Sequence, residues 1–168
     1  MQKSRPIIAA AVAAAVLAGA GAYLATASAE RVPSVAYTLL DGSRGDTGRL
    51  AGKVTLINFW ATSCATCVRE MPQIAAMHRK YQAQGFDTLA VAMSYDPPAY
   101  VVRYAQTRGL PFGVAIDNTG AIARSFGNVQ ATPTSLLVNK RGEIVKRFVG
   151  EPDFAALHKL VEKLLAEA

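Results

Sequence analysis

Beyond residue 53 the chain alternates short apolar runs with longer amphipathic segments. The apolar runs contain many β-branched residues and few charges, as strands buried on both faces do. They occupy residues 54–59, 86–93, 112–117 and 134–139. A turn at Lys140-Arg141-Gly142 connects the last run to a further strand over 143–149. The pattern therefore predicts a sheet that ends in a hairpin.

The amphipathic segments carry apolar residues at three- and four-residue spacing, which is typical of helices with one buried face. The first follows the strand at 54–59 and ends near Gly85, and the second follows Asp96-Pro97-Pro98 and stops at Gly109. The others occupy residues 120–126 and 153–166. Strands that alternate with helices in this way predict an α/β domain, a mixed sheet with helices on both faces.

Residues 31–53 are rich in turns and precede the first buried strand. Residues 36–40 form a short strand candidate before Asp41-Gly42, which favours a hairpin or a loose turn. We predict a small N-terminal β extension that packs against the edge of the domain.

The first 29 residues have the pattern of a targeting segment rather than of a folded domain. Lys3 and Arg5 precede an uncharged stretch that ends in Ala27-Ser28-Ala29. This is typical of a secretory signal peptide cleaved after Ala29, but the apolar run is also about as long as the roughly 20 residues of a membrane anchor. In both cases residues 30–168 lie outside the cytoplasm, in a periplasm or cell envelope, either soluble after cleavage or tethered to the inner membrane.

Composition adds two exclusions. The chain has 18 Lys and Arg against 12 Asp and Glu, and removal of Lys3 and Arg5 leaves 16 basic residues. These are scattered along the chain, so no nucleic-acid partner is expected. Two cysteines are too few for a disulfide scaffold.

Both cysteines stand where the strand at 54–59 gives way to the first helix, in the order Cys64-Ala65-Thr66-Cys67. The first turn of a helix presents unpaired N–H groups and the positive end of its dipole, which favour a thiolate over a thiol. Two intervening residues allow the sulfurs to close a small disulfide ring. The motif predicts a redox couple, with a structural disulfide or two buried thiols as the alternatives.

The segment from Val54 to Pro72, with Asn-Phe-Trp-Ala, Cys-x-x-Cys and Glu-Met-Pro, and the later Thr132-Pro133-Thr134 resemble the thioredoxin superfamily. Within it they resemble the envelope TlpA/ResA-like thiol–disulfide oxidoreductases, over about Arg31 to the C-terminus. The resemblance implies that Cys64 is the attacking nucleophile and that Cys67 is the less exposed, resolving thiol.

The same resemblance implies roles for the residues around the cysteines. Glu70 would lie near the thiols and raise their pKa values or relay a proton, with a first-turn residue favourable to the helix dipole as the alternative. Pro133 would follow a cis peptide bond and face the disulfide, while the backbone of Thr132 pairs with an incoming peptide. Trp60 would pack next to the site, and we group it with these two as substrate-binding.

Three positions depart from the common pattern of these relatives. Ser63 stands in place of Trp before the first cysteine, and Ala65-Thr66 replaces the frequent x-Pro pair. Asn58 stands where cytosolic thioredoxins have a buried acid, which removes one candidate proton acceptor. The reduction potential therefore does not follow from the resemblance.

We predict a protein disulfide oxidoreductase, a reductase of exported protein disulfides with apocytochromes among its candidate substrates. It would be re-reduced by a membrane-embedded electron donor and would need no cofactor and no metal. The alternative is a copper-binding assembly protein that uses Cys64, Cys67 and His158. Against it, the default interpretation of His158 and His78 is that both lie on the surfaces of helices. A peroxiredoxin is disfavoured because its Pro-x-x-x-Thr-x-x-Cys signature is missing.

Overall fold

The computed structural model describes residues 30–167, so the predicted signal peptide or anchor at 1–29 lies outside the described residues. The described chain contains seven strands and four α-helices. In order these are β1 (Ala36–Thr38), β2 (Arg44–Asp46), β3 (Val54–Trp60), α1 (Ala65–Tyr81), β4 (Phe86–Ala92), α2 (Pro98–Arg108), β5 (Gly113–Ile116), α3 (Ala121–Ser125), β6 (Thr134–Val138), β7 (Ile144–Val149) and α4 (Phe154–Ala166). The strands and helices predicted from the apolar pattern are confirmed, with small shifts at their ends.

Five strands form the central sheet in the order β5-β4-β3-β6-β7. The three strands β3, β4 and β5 run parallel, and β6 and β7 are antiparallel to their neighbours. All seven residues of β3 are buried, as expected for a central strand covered on both faces. The predicted mixed sheet is confirmed.

Side chains alternate along β3 and enter two different cores. Ile57 and Phe59 point to one face, where they pack with α3 and with apolar residues of the N-terminal extension. Leu56 and Trp60 point to the other face, which α1, α2 and α4 cover. Helices therefore lie on both faces of the sheet, and α1 packs on the face to which Trp60 points.

The N-terminal extension forms the predicted hairpin and packs on the sheet edge. β1 and β2 pair antiparallel, and the Asp41 carboxylate closes the turn by accepting from the Ser43 N–H at 2.9 Å. Leu39 then bridges to Ala115 of β5, and the Leu40 N–H donates to the Val114 carbonyl at 2.9 Å. The extension thus covers a strand that would otherwise be an open edge.

His78 corrects one prediction. It is not a helix-surface residue: only 5% of it is exposed, and its Nδ1 lies 3.2 Å from the Thr88 hydroxyl. The rings of Phe86 and Phe112 pack edge-on against its imidazole. The reason is helical spacing, because His78 follows Ile74 by one turn and shares its buried face.

Across residues 30–167, none of the helices combines the length and apolarity that a membrane crossing requires.

Candidate active site

Cys64 and Cys67 are joined by a disulfide, with their Cα atoms 5.2 Å apart. Cys64 is the N-cap of α1, and its Sγ accepts a hydrogen bond from the Cys67 N–H at 3.1 Å. Cys64 is half-buried, whereas Cys67 is fully buried. The predicted position at a strand-to-helix junction is confirmed, and the alternative of two free thiols is wrong. Of the two cysteines, Cys64 is therefore the more accessible from solvent.

The N-terminus of α1 favours a negative charge on Cys64 once the disulfide is reduced. The Cys67 N–H already points at the Cys64 sulfur, and the α1 dipole places its positive end there. Both effects stabilise a thiolate relative to a thiol.

Glu70 lies on α1, fully buried, and forms a polar cluster with two strands of the sheet. Its Oε1 accepts from the Asn58 amide at 3.0 Å, and the same amide nitrogen donates to the Ser135 hydroxyl at 2.9 Å. Glu70 Oε2 and Asn58 Oδ1 have no hydrogen-bond partner among the described residues. Burial raises the pKa of Glu70 from 4.5 to about 7, although the hydrogen bond from Asn58 opposes the change.

Glu70 is also three residues after Cys67, so the two buried side chains lie on neighbouring positions of one helix face. A carboxyl group with a pKa of about 7 therefore lies on the side of α1 that carries Cys67. The helix-dipole alternative is wrong, because α1 begins at Ala65 and has no acidic residue in its first turn. The proton-relay role stays a prediction.

The Thr132–Pro133 peptide bond is cis, as the resemblance implies. Pro133 directly precedes β6, whose first residue, Thr134, pairs with Phe59 near the C-terminal end of β3. Since β3 leads into the cysteine loop, Thr132 and Pro133 lie at the same edge of the sheet as Cys64. Their roles in binding a substrate peptide stay predictions.

The loop between β4 and α2 contains two residues, Tyr95 and Asp96, that the sequence did not indicate as part of the site. The Asp96 carboxylate accepts from the Thr62 N–H at 2.6 Å and from the Thr62 hydroxyl at 2.5 Å. The adjacent Tyr95 places its hydroxyl 3.2 Å from the Thr132 hydroxyl. This loop therefore contacts both the segment before Cys64 and the segment before Pro133.

The start signal that Asp96-Pro97-Pro98 gives for α2 is confirmed, because the helix begins at Pro98. Pro97 is the N-cap residue and makes no side-chain cap bond, since proline has no side-chain acceptor, and the Asp96 carboxylate is bound to Thr62. The two residues are 34 positions apart, so no local pattern in the sequence indicates their contact.

Trp60 is fully buried, with its ring centroid 5.1 Å from that of Tyr104. This confirms packing next to the site, while a contact of Trp60 with substrate stays a prediction.

His158 is not brought to the cysteines, because its Nδ1 lies 3.0 Å from the Tyr81 hydroxyl. Within residues 30–167 no three side chains of the His, Cys, Asp or Glu types are grouped to hold a metal. The copper alternative thus lacks its third ligand.

Known proteins that are similar to this chain include a family model and two thiol-disulfide oxidoreductases. Residues 27–162 match the family model described as Redoxin. The chain is 33% identical over 129 residues to the thiol-disulfide oxidoreductase ResA of Halalkalibacterium halodurans, covering 77% of this chain and 72% of the relative. It is 32% identical over 135 residues to ResA of Bacillus thuringiensis, covering 80% and 77%.

Two solved structures are similar along most of their length. A Neisseria meningitidis protein described as a thioredoxin has a TM-score of 0.77 at 41% identity, covering 83% of this chain and 93% of that one. A Chlorobium tepidum protein described as a thiol:disulfide interchange protein DsbE has a TM-score of 0.75 at 27% identity, covering 82% and 97%.

Proposed function

Since this chain belongs to the Redoxin family and is a thioredoxin-like thiol–disulfide oxidoreductase, we propose that it reduces disulfides of exported proteins. The observation that carries the proposal is the unequal burial of the two cysteines within one helical turn. A half-buried Cys64 at the helix N-terminus suits an attacking sulfur. A fully buried Cys67 suits a sulfur that reacts only with its neighbour.

The reaction begins with both cysteines reduced. The Cys64 thiolate attacks one sulfur of the substrate disulfide, and a new S–S bond forms as the substrate bond breaks. The displaced substrate sulfur leaves as a thiolate and takes a proton from solvent. Cys67 then attacks the Cys64 sulfur of this mixed disulfide and releases the second substrate thiol. Two electrons pass to the substrate, and the Cys64–Cys67 disulfide of this structure is the oxidised product.

Glu70 supplies a proton acceptor for the second step. Cys67 must lose its proton before it attacks, and its full burial keeps solvent water away from the thiol. A carboxylate whose pKa is raised to about 7 by burial is a stronger base than an exposed glutamate, and it is about half ionised in neutral solution and largely ionised in slightly alkaline solution. We therefore assign Glu70 as the group that accepts the Cys67 proton.

Thr132 and Pro133 position the substrate chain. The Thr132 backbone would pair with an extended substrate segment beside Cys64, in the manner of an added β-strand. Pro133 has no N–H group and so offers no competing donor next to the thiolates. Trp60 packs against Tyr104 and, in the same apolar cluster, against Cys64 and Cys67, and so supports the cysteine loop.

The direction of electron flow and the location belong to the same proposal. The pattern of residues 1–29 indicates export, so the domain would work in an oxidising periplasm or envelope. Net reduction there needs a dedicated donor, and we propose a membrane-embedded dithiol protein. Apocytochromes, whose haem-attachment cysteines have to be reduced, are a suitable substrate class.

Insulin reduction, followed by the turbidity of the released chains, tests the mechanism. Cys64→Ser should abolish turnover, whereas Cys67→Ser should accumulate mixed disulfides through Cys64 that are visible on non-reducing gels. Ser63→Ala is the matched control, because Ser63 is exposed and adjacent. Turnover retained in Cys64→Ser would overturn the assignment. The reduction potential of the couple, compared with that of the envelope, decides the direction.

A further inference from the structure

An open groove of about 350 Å³ lies between the segment before Cys64 and the outer face of α2. It is lined by Thr62, Tyr100, Arg103, Tyr104, Thr107 and Arg108, and we call it the Tyr–Arg groove. The α2 members recur at three- and four-residue spacing and so share one helix face. The opposite face of α2 places Val101 in the core, where it is fully buried.

The groove adjoins the redox site directly. Thr62 is two residues before Cys64 and is held in place by Asp96. Tyr104 packs on Trp60, and its hydroxyl donates to the Val68 carbonyl at 3.5 Å. A polypeptide bound to Cys64 therefore meets the Tyr–Arg groove on one side.

The charges on the two sides of the disulfide differ. On the α1 side, the Arg69 guanidinium is paired with the Glu151 carboxylate at 2.7 Å. In the groove, neither Arg103 nor Arg108 forms an ion pair with a described residue. No acidic residue lines the groove, and the nearby Asp96 is only 2% exposed with both oxygens bound to Thr62. The groove therefore presents positive charge that is not neutralised from within the described chain.

We propose that the Tyr–Arg groove binds an acidic segment of the substrate protein, next to the cysteine that Cys64 attacks. The inference rests on the proposed function, because only a disulfide-exchanging partner is brought to this side of Cys64. The groove would thereby select among substrates that share the same disulfide chemistry.

The chemistry of the lining suits such a segment. Guanidinium groups bind carboxylates with paired, charge-assisted hydrogen bonds. The Arg108 guanidinium carbon lies 5.8 Å from the Tyr104 ring centroid, so its head group rests near an aromatic face. Tyr100 is 64% exposed and offers a rigid ring for apolar contact with the substrate backbone and side-chain stems.

The test uses three synthetic peptides that carry the same disulfide, with Glu, Gln or Lys at the positions flanking one cysteine. For the wild-type protein we expect a KM about three- to tenfold lower for the Glu peptide than for the Gln peptide, with similar kcat values. The Lys peptide should have the highest KM. The preference should shrink as ionic strength rises, because salt screens exposed charges.

The double variant Arg103→Gln/Arg108→Gln should lose the preference for the Glu peptide over the Gln peptide. Lys146→Gln/Lys163→Gln removes the same net charge from two exposed sites on β7 and α4 and should keep it. An equal loss in both double variants would overturn the proposal, since it would indicate a general charge effect. So would equal KM values of the three peptides for the wild-type protein.

The same experiment separates this inference from the function on which it rests. If the wild-type protein reduces the three peptides equally well, only the groove proposal fails. If it reduces neither the peptides nor a small aromatic disulfide, the proposed reductase function fails, and the groove proposal fails with it.

Discussion

Glu70→Gln, studied in the disulfide form, tests the buried carboxyl quantitatively. Burial raises the pKa of Glu70 from 4.5 to about 7, so the folded protein holds this proton more tightly than the unfolded chain. The folded state carries more protons between these two pH values, and the stability that Glu70 contributes falls as pH rises through them. The contribution is fully present below the unfolded pKa and is lost above about pH 7. A shift of this size corresponds to about 3 kcal/mol.

Glutamine cannot ionise, and it keeps the size of the side chain and the oxygen that accepts from Asn58. We therefore expect the free energy of unfolding of Glu70→Gln, minus that of the wild type, to increase by about 2–3 kcal/mol between pH 5 and pH 8. Urea unfolding at a series of pH values measures it. The disulfide form is used because its cysteines do not titrate.

The difference between two proteins also removes the effect of His78. Burial lowers the pKa of His78. The stability that His78 contributes is therefore present above its unfolded pKa and is lost as the pH falls, which is opposite to the behaviour of Glu70. Glu143→Gln is the matched control. Hydrogen bonds from Arg141 and Asn139 lower the pKa of Glu143, which therefore titrates below the measured range. A Glu70→Gln difference that is as independent of pH as that of Glu143→Gln would refute the reasoning.

Two further predictions concern stability. Asp96→Asn leaves one of the two Thr62 donors without a partner, because the amide nitrogen cannot accept a hydrogen bond. The free energy of unfolding, measured with urea, should fall by about 1–3 kcal/mol. A variant as stable as the wild type would contradict the double contact. Leu137→Ala removes a fully buried side chain between the sheet and α4 and should cost about 2–5 kcal/mol. The exposed Leu40→Ala is its control, and equal losses in the two variants would argue against this core.

Much of the fold is predictable because it depends on local patterns. β3 is covered on both faces, so its sequence is uncharged and mostly apolar, and α4 has its apolar residues on one side. His78 shows the limit of that logic. Histidine is polar, so a periodicity count assigns it to the surface, yet its position one turn after Ile74 places it among the rings of Phe86 and Phe112.

The site was predictable in its covalent chemistry but not in its electrostatics. The motif indicated Cys64 and Cys67, because the two cysteines and the start of α1 lie close together in the sequence, whereas the resemblance alone indicated the cis bond before Pro133. The environment of Glu70 depends on Asn58 of β3, 12 residues earlier, and this amide in turn contacts Ser135, 77 residues further on. The contact with Ser135 arises from the pairing of β3 with β6 and the contact with Glu70 from the packing of α1 on the sheet, so neither leaves a local signal.

The pairing of Asn58 with Glu70 also explains why an amide suits this position in the strand. The resemblance suggested that Asn58 removes one candidate proton acceptor, but the structure places a buried carboxyl group, Glu70, on α1 and lets Asn58 donate to it. An acid at position 58 would put two carboxyl groups in hydrogen-bond contact in a buried site, and their mutual repulsion would drive at least one pKa far above neutrality. With an amide there, one carboxyl titrates near pH 7 without a second charge beside it. Under the proposed mechanism one such group is enough, because only the buried Cys67 would have to lose its proton away from solvent.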